Sequence, residues 1–136
     1  MIDKYEELLN YLSNKLDIEL RIDSNQSCSI LFDDTISVQL ELDESAENLI
    51  IFSSAVQLPA GKFRENILLN GLKENDKYPI IATFGYYEKA NTLAIFNFLN
   101  LLSTDNEAIY NYLKTFVDLV FLYHDSVSKG QASPLL

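Results

Sequence analysis

Few residues in this chain could move protons, attack carbonyls or hold metal ions, and their neighbours argue against each role. The single histidine, His124, stands near the end of a helix-like apolar stretch. An imidazole there serves as a surface residue or a partner for the helix C-terminal dipole, because a general base needs an orienting group that the local sequence does not supply. The single cysteine, Cys28, starts a strand-like run with no helix N-terminus to lower its pKa, so it reads as a small packed side chain. Asp33 and Asp34 could grip a cation or share a proton, but they fall between two strand-like runs, where aspartates shape turns through their own side chains. Asp43, Glu44 and Glu47 lack the oxygen spacing and the glycine of a calcium loop. No GxxxxGK[ST], GxGxxG or CxxC pattern occurs. The sequence therefore predicts no enzyme activity, no cofactor and no metal.

What remains is surface, and composition limits what that surface can bind. Twenty acidic residues against ten basic ones give a formal charge of −10, which repels phosphate backbones and anionic lipid headgroups and predicts neither nucleic acid nor membrane as a partner. A chain of 136 residues with 48% hydrophobic content can bury one core as a single domain without disulfides. No apolar run approaches the ~20 residues of a membrane span. The start "MIDKYEELLNYLSNKL" is charged throughout, unlike a secretory signal, and a lone cysteine suits a reducing compartment. Both point to the cytoplasm.

Periodicity supplies the elements. Ile2, Tyr5, Leu8, Leu9, Leu12 and Leu16 recur at steps of three and four, which predicts a helix with one buried face. Ile18, Leu20 and Ile22 then alternate with charged residues as a strand or extended edge segment, and "SNQS" is a turn. "CSILF" and "ISVQLEL" predict antiparallel strands around "DDT", and "LIIFSSAV" a central strand after the turn "DESAEN". A helix follows from about Gly61 to Glu74 with Asn75 as its stop, then strands in "YPIIATFGYY" and "TLAIFNFLNLL". Tyr86 and Tyr87 are adjacent in the first of these, so one must leave the core face as a contact residue. Thr104 and Glu107 have the spacing of a capping box, which opens a long, well-buried last helix. The pattern is an α+β fold in the order α-βββ-α-ββ-α, with about five strands in one antiparallel, strongly twisted sheet. Residues 126–136 lack periodicity and carry Gly130 and Pro134, which predicts a mobile tail after a domain over 1–125.

The middle helix, "RENILLNGLKEN", is greasy on two sides. With Phe63 at zero, Ile67 falls at about 40°, and Leu68, Leu72 and Leu69 at about 140°, 180° and 240°. Each large aliphatic side chain gains roughly 1.5–3 kcal/mol on burial, so both sides want cover. A two-fold homodimer supplies it: the wider leucine side meets the chain's own sheet, while Phe63, Ile67, Asn70 and Gly71 form a strip for the second copy. The competing reading has the helix sandwiched within the monomer, for example beneath the last helix.

The order of elements, the segment "SILFDDTISVQLELD", the Leu58–Pro59 pair and the run Ile67, Leu68, Leu72, Asn75 resemble the class I chaperones of type III secretion systems, the Tir chaperone or CesT-like family, over about residues 1 to 125. Where that family often has a second leucine pair, this chain has Gly71 and Leu72. The resemblance implies a bacterial cytoplasmic homodimer that binds the N-terminal region of one or more secreted effectors in extended form and keeps it competent for export without hydrolysing nucleotide. A disordered segment can do this by adding a strand to an open sheet edge and seating apolar side chains in nearby grooves. The edge is expected between Ile18 and Phe32, with Tyr5, Leu9, Leu12, Leu20, Ile22, Ile30 and Phe32 as the partner-binding neighbourhood. Two alternatives stand beside it: a small α+β enzyme or ligand-binding domain built from scattered residues, and an anti-activator or adaptor of the secretion apparatus using the same surface.

Overall fold

The computed structural model describes residues 4–23, 26–45, 47–76 and 81–134. Its elements run α1 (Lys4–Leu16), β1 (Ser27–Phe32), β2 (Ile36–Leu42), β3 (Asn48–Gln57), α2 (Lys62–Glu74), β4 (Thr83–Tyr87), β5 (Thr92–Asn100) and α3 (Asn106–Ser128). This is the order that periodicity predicts. In β2 the alternation is literal: Ile36, Val38 and Leu40 are fully buried while Ser37 and Gln39 face solvent. The five strands make one antiparallel sheet in the order β1-β2-β3-β5-β4. β1 and β4 are therefore its two edges.

Short turns set the registers. Asp33 and Asp34 sit at φ 51° and 56°, the left-handed conformation that aspartate tolerates and that tight hairpins demand. Here the paired acids shape the β1–β2 connection. After β2 the Asp43 carboxylate accepts hydrogen bonds from Ser45 Oγ at 2.7 Å, Asn48 Nδ2 at 2.9 Å and the Asn48 N–H at 3.2 Å. These bonds, from Asn48 first and then Ser45, hold its pKa down at about 2. Ala46, within this turn, lies outside the described residues.

One core joins the layers: Leu8 and Leu12 of α1, Ile30, Val38, Ile51 and Ile95 of the sheet, and Phe116 and Val120 of α3. Two boundaries, both of α3, differ from expectation, and the alternating stretch after α1 takes the second of its two expected forms. The stretch from Ile18 to Asp23 is extended but joins no strand; Ile18 N–H donates to Ser13 O, Leu20 N–H to Ser13 Oγ and Asp23 N–H to Ser27 O. Ser24 and Asn25 of the expected turn, and Tyr78 to Ile80 of the expected strand, lie outside the described residues. The cap of α3 is Asp105, whose carboxylate accepts from the Ala108 N–H at 2.7 Å. A carboxylate caps at least as well as the Thr104 hydroxyl, and it moves the start by one residue. At its other end α3 continues through Ser128, and Gly130 at φ 83° closes it as the N–H groups of Gly130 and Gln131 donate to Val127 O and Ser126 O. Val127 and Ala132 pack on the core, so the folded unit extends past residue 125. Met1 to Asp3, Leu135 and Leu136 lie outside the described residues.

The face of α2 that meets the sheet is the reverse of the expected one. Ile67 is fully buried, Gly71 is buried, and Phe63, Leu68 and Asn70 are half-buried, while Leu69 and Leu72 are 52% and 55% exposed. The strip assigned to a second copy thus lies largely against the chain's own β4 and β5. Counting leucines pointed the wrong way because close approach decided the orientation. A Cβ added at Gly71 would lie 3.0 Å from Leu93 Cδ1 and 3.4 Å from Phe84 Cβ. A glycine at that point lets the helix settle onto the sheet, and the larger leucines turn outward.

Candidate interaction surface

The first edge is built by the chain entering β1. The Tyr5 hydroxyl lies 2.8 Å from Gln26 O and 3.0 Å from Leu40 O, which fixes α1 to the start of the sheet. Asp23 then caps the first residue of β1: its own N–H donates to Ser27 O at 2.8 Å, and its carboxylate accepts from the Ser27 N–H at 3.0 Å. Both backbone groups of Ser27 therefore point away from β2. Antiparallel alternation sends those of Ser29 and Leu31 the same way. No backbone partner meets Ser29 or Leu31 on that side among the described residues. Leu31 is also 58% exposed.

Between α1 and the extended stretch that leads into β1 lies a groove of about 230 Å³ lined by Glu6, Leu9, Asn10, Leu20 and Ile22. Of the expected partner-binding set, Leu20, Ile22 and Phe32 are half-buried. Leu9 forms the groove floor. Tyr5, Leu12 and Ile30 are core, because α1 turns their positions fully toward the sheet and Ile30 alternates inward on β1. Cys28 is buried under the same stretch; burial pushes its thiol pKa up, against a smaller opposing contribution from the Arg21 backbone N–H. A thiol held in that form is a poor nucleophile.

The second edge is occupied. Asn75, the C-cap of α2, donates from Nδ2 to Phe84 O at 2.8 Å and accepts at Oδ1 from the Phe84 N–H at 2.8 Å. The sequence suggests Asn75 as a helix stop but gives no sign that it pairs with a strand. Next to it, Leu68, Leu72, Gly85, Tyr86 and Leu93 enclose an apolar hollow of about 120 Å³. Of the adjacent pair Tyr87 leaves the core face and packs on Phe52, while Tyr86, on the side of Phe84 and Leu93, is 46% exposed with the Arg64 guanidinium 4.9 Å from its ring centre.

The sheet face away from Ile30 and Val38 carries Phe52, Phe96 and Phe98, the last 56% exposed. A depression of about 390 Å³ is lined by Thr35, Ser37, Gln39, Phe52, Ser54, Gln57 and His124. His124 Nδ1 faces Asp125 Oδ1 at 3.5 Å and has no hydrogen-bond partner among the described residues, so nothing orients it as a base. Among the described residues no three of His, Cys, Asp and Glu converge as metal ligands, and no helix is long and apolar enough to cross a membrane.

Comparison with known proteins follows the same outline. The fold is similar to the HopA1–SchA chaperone–effector complex, with a TM-score of 0.71 and 18% identity over 90% of this chain and 94% of that one. It is similar to the ExsC–ExsE complex, with a TM-score of 0.70 and 21% identity over 90% and 92%. It is also similar to the Yersinia pestis type III secretion chaperone SycH in complex with a stable fragment of YscM2, with a TM-score of 0.65 and 20% identity over 84% and 94%. No curated protein sequence matches the chain. The model of the Tir chaperone protein (CesT) family matches residues 7–121, and the chain belongs to that family.

Proposed function

We propose that this chain is a bacterial cytoplasmic chaperone of type III secretion that holds the N-terminal region of an effector in extended form, competent for export, and does so without hydrolysing nucleotide. The observation that carries this reading is the unpaired outer side of β1 at Ser29 and Leu31, together with the Leu9–Leu20–Ile22 groove. An extended guest gains main-chain hydrogen bonds from the strand and buries alternate apolar side chains in the groove, and neither contribution requires a chemical step. A homodimer completes the proposal: Leu69 and Leu72 are exposed on α2 beside an apolar hollow, and a second copy covers them.

The test uses the tagged protein in its native cytosol, with copurifying clients identified and the first ~100 residues of a client assayed alone. Leu31→Pro removes an outward-facing N–H without touching the ladder to β2. Client affinity is expected to fall by about tenfold or more, equivalent to ~1.4 kcal/mol, with the fold retained. Undiminished binding by folded Leu31→Pro and by folded Ile22→Asp would overturn the β1 assignment.

A further inference from the structure

We propose that Asn75 decides which margin of the sheet a guest strand can use: its carboxamide takes the outward backbone groups of Phe84 and closes β4, leaving β1 to receive the guest. This rests on the strand-capture reading above and adds to it a residue that steers. A side-chain amide carries the same donor and acceptor as a peptide group, and at 2.8 Å in both directions Asn75 makes the two bonds that a residue of a sixth strand would make opposite Phe84. β4 spans only Thr83–Tyr87, so Phe84 and Tyr86 are its outward-facing positions and the loss of one breaks the ladder.

The surrounding sequence holds the clamp in place. Ile67, Gly71 and Asn75 follow one another at steps of four, on one side of α2. Ile67 anchors that side in the core, Gly71 lets the helix approach Phe84 and Leu93, and one turn later Asn75 reaches the strand. Its own N–H donates to Leu72 O, and the next N–H, of Asp76, donates to Lys73 O. Aspartate at this position would meet Phe84 O with no donor, and alanine would meet neither group. On β1 Asp23 makes the equivalent bonds to Ser27.

The experiment compares the full chain with Asn75→Ala, both carrying Leu69→Glu and Leu72→Glu so that no second copy covers the hollow beside Tyr86, using as probe a short synthetic peptide of alternating threonine and valine with lysine at each end, at high salt. Residue-resolved amide exchange and binding stoichiometry are read together. The peptide is expected to slow exchange at Ser29 and Leu31 in the parent chain. In Asn75→Ala it should also slow Phe84 and Tyr86 and bind a second time. Adding Tyr86→Pro, which deletes another outward N–H, should abolish the second site and spare the first. A folded Asn75→Ala with no gain at Phe84 and Tyr86 would overturn the proposal. Should Asn75→Ala not fold, Asn75→Asp takes its place: a partial gain at Tyr86 supports the proposal and behaviour identical to the parent overturns it. No slowing at Ser29 and Leu31 in the parent would count against strand capture by β1, while a gain at β4 in the variant would still identify Asn75 as what closes that margin.

Discussion

β1 and β4 are both edge strands of one antiparallel sheet, yet Ser29 and Leu31 have no outer backbone partner among the described residues, whereas Phe84 has both backbone groups taken by Asn75. Unpaired edges invite association with any available strand, so the two margins differ in what they can accept. At β4 the side chain that caps α2 takes the outward groups of Phe84. The open margin is left by an extended stretch that forms no ladder.

The contrast can be broken most severely at the footing of α2. Ile67→Asp places a carboxylate in a fully buried position and is expected to cost about 3–5 kcal/mol in denaturant unfolding, far more than the loss of any single bond at β1. A smaller effect sharpens the division of labour. Leu69→Glu with Leu72→Glu changes exposed positions and should alter chain stability by no more than about 0.5 kcal/mol per site. Sedimentation is expected to show it shifting dimer to monomer while the β1 groove still binds its client. The smallest effect lies away from both margins. Asp43 has its pKa lowered from 3.8 to about 2 by Asn48 and Ser45, so its folded value lies below its unfolded value. The stabilisation is present above pH ~4 and is lost as pH falls toward ~2. Melting of Asp43→Asn against the parent should show a gap that closes across that window and leaves client affinity at neutral pH unchanged.

Element order was legible in the sequence because β2 alternates cleanly after an acidic turn in "SILFDDTISVQLELD" and β3 opens on a continuous apolar run. Which side of α2 goes inward was not. Helical periodicity reports that both sides are apolar, but the choice depended on the distance Gly71 permits to Leu93 and Phe84, and those residues come later in the chain. The clamp at Asn75 was hidden for the same reason, since its partner becomes a neighbour only when β4 folds back against α2. The groove was half legible. Leu20 and Ile22 line it together with residues of α1, while the inward positions Tyr5, Leu12 and Ile30 share their composition and could be separated only by burial. The switch from Thr104 to Asp105 as cap shows how neighbouring residues of equal capping ability leave a boundary undecided by one position.

The stretch from Ile18 to Asp23 is tacked to Ser13 at one end and Ser27 at the other, and it lies across the only thiol in the chain. Lifting it ruptures few bonds and leaves every β ladder intact. The rate at which a soluble alkylating reagent finds Cys28 is therefore a clock for this strap, running slower when a guest holds the strap down and faster when a guest has pushed it aside.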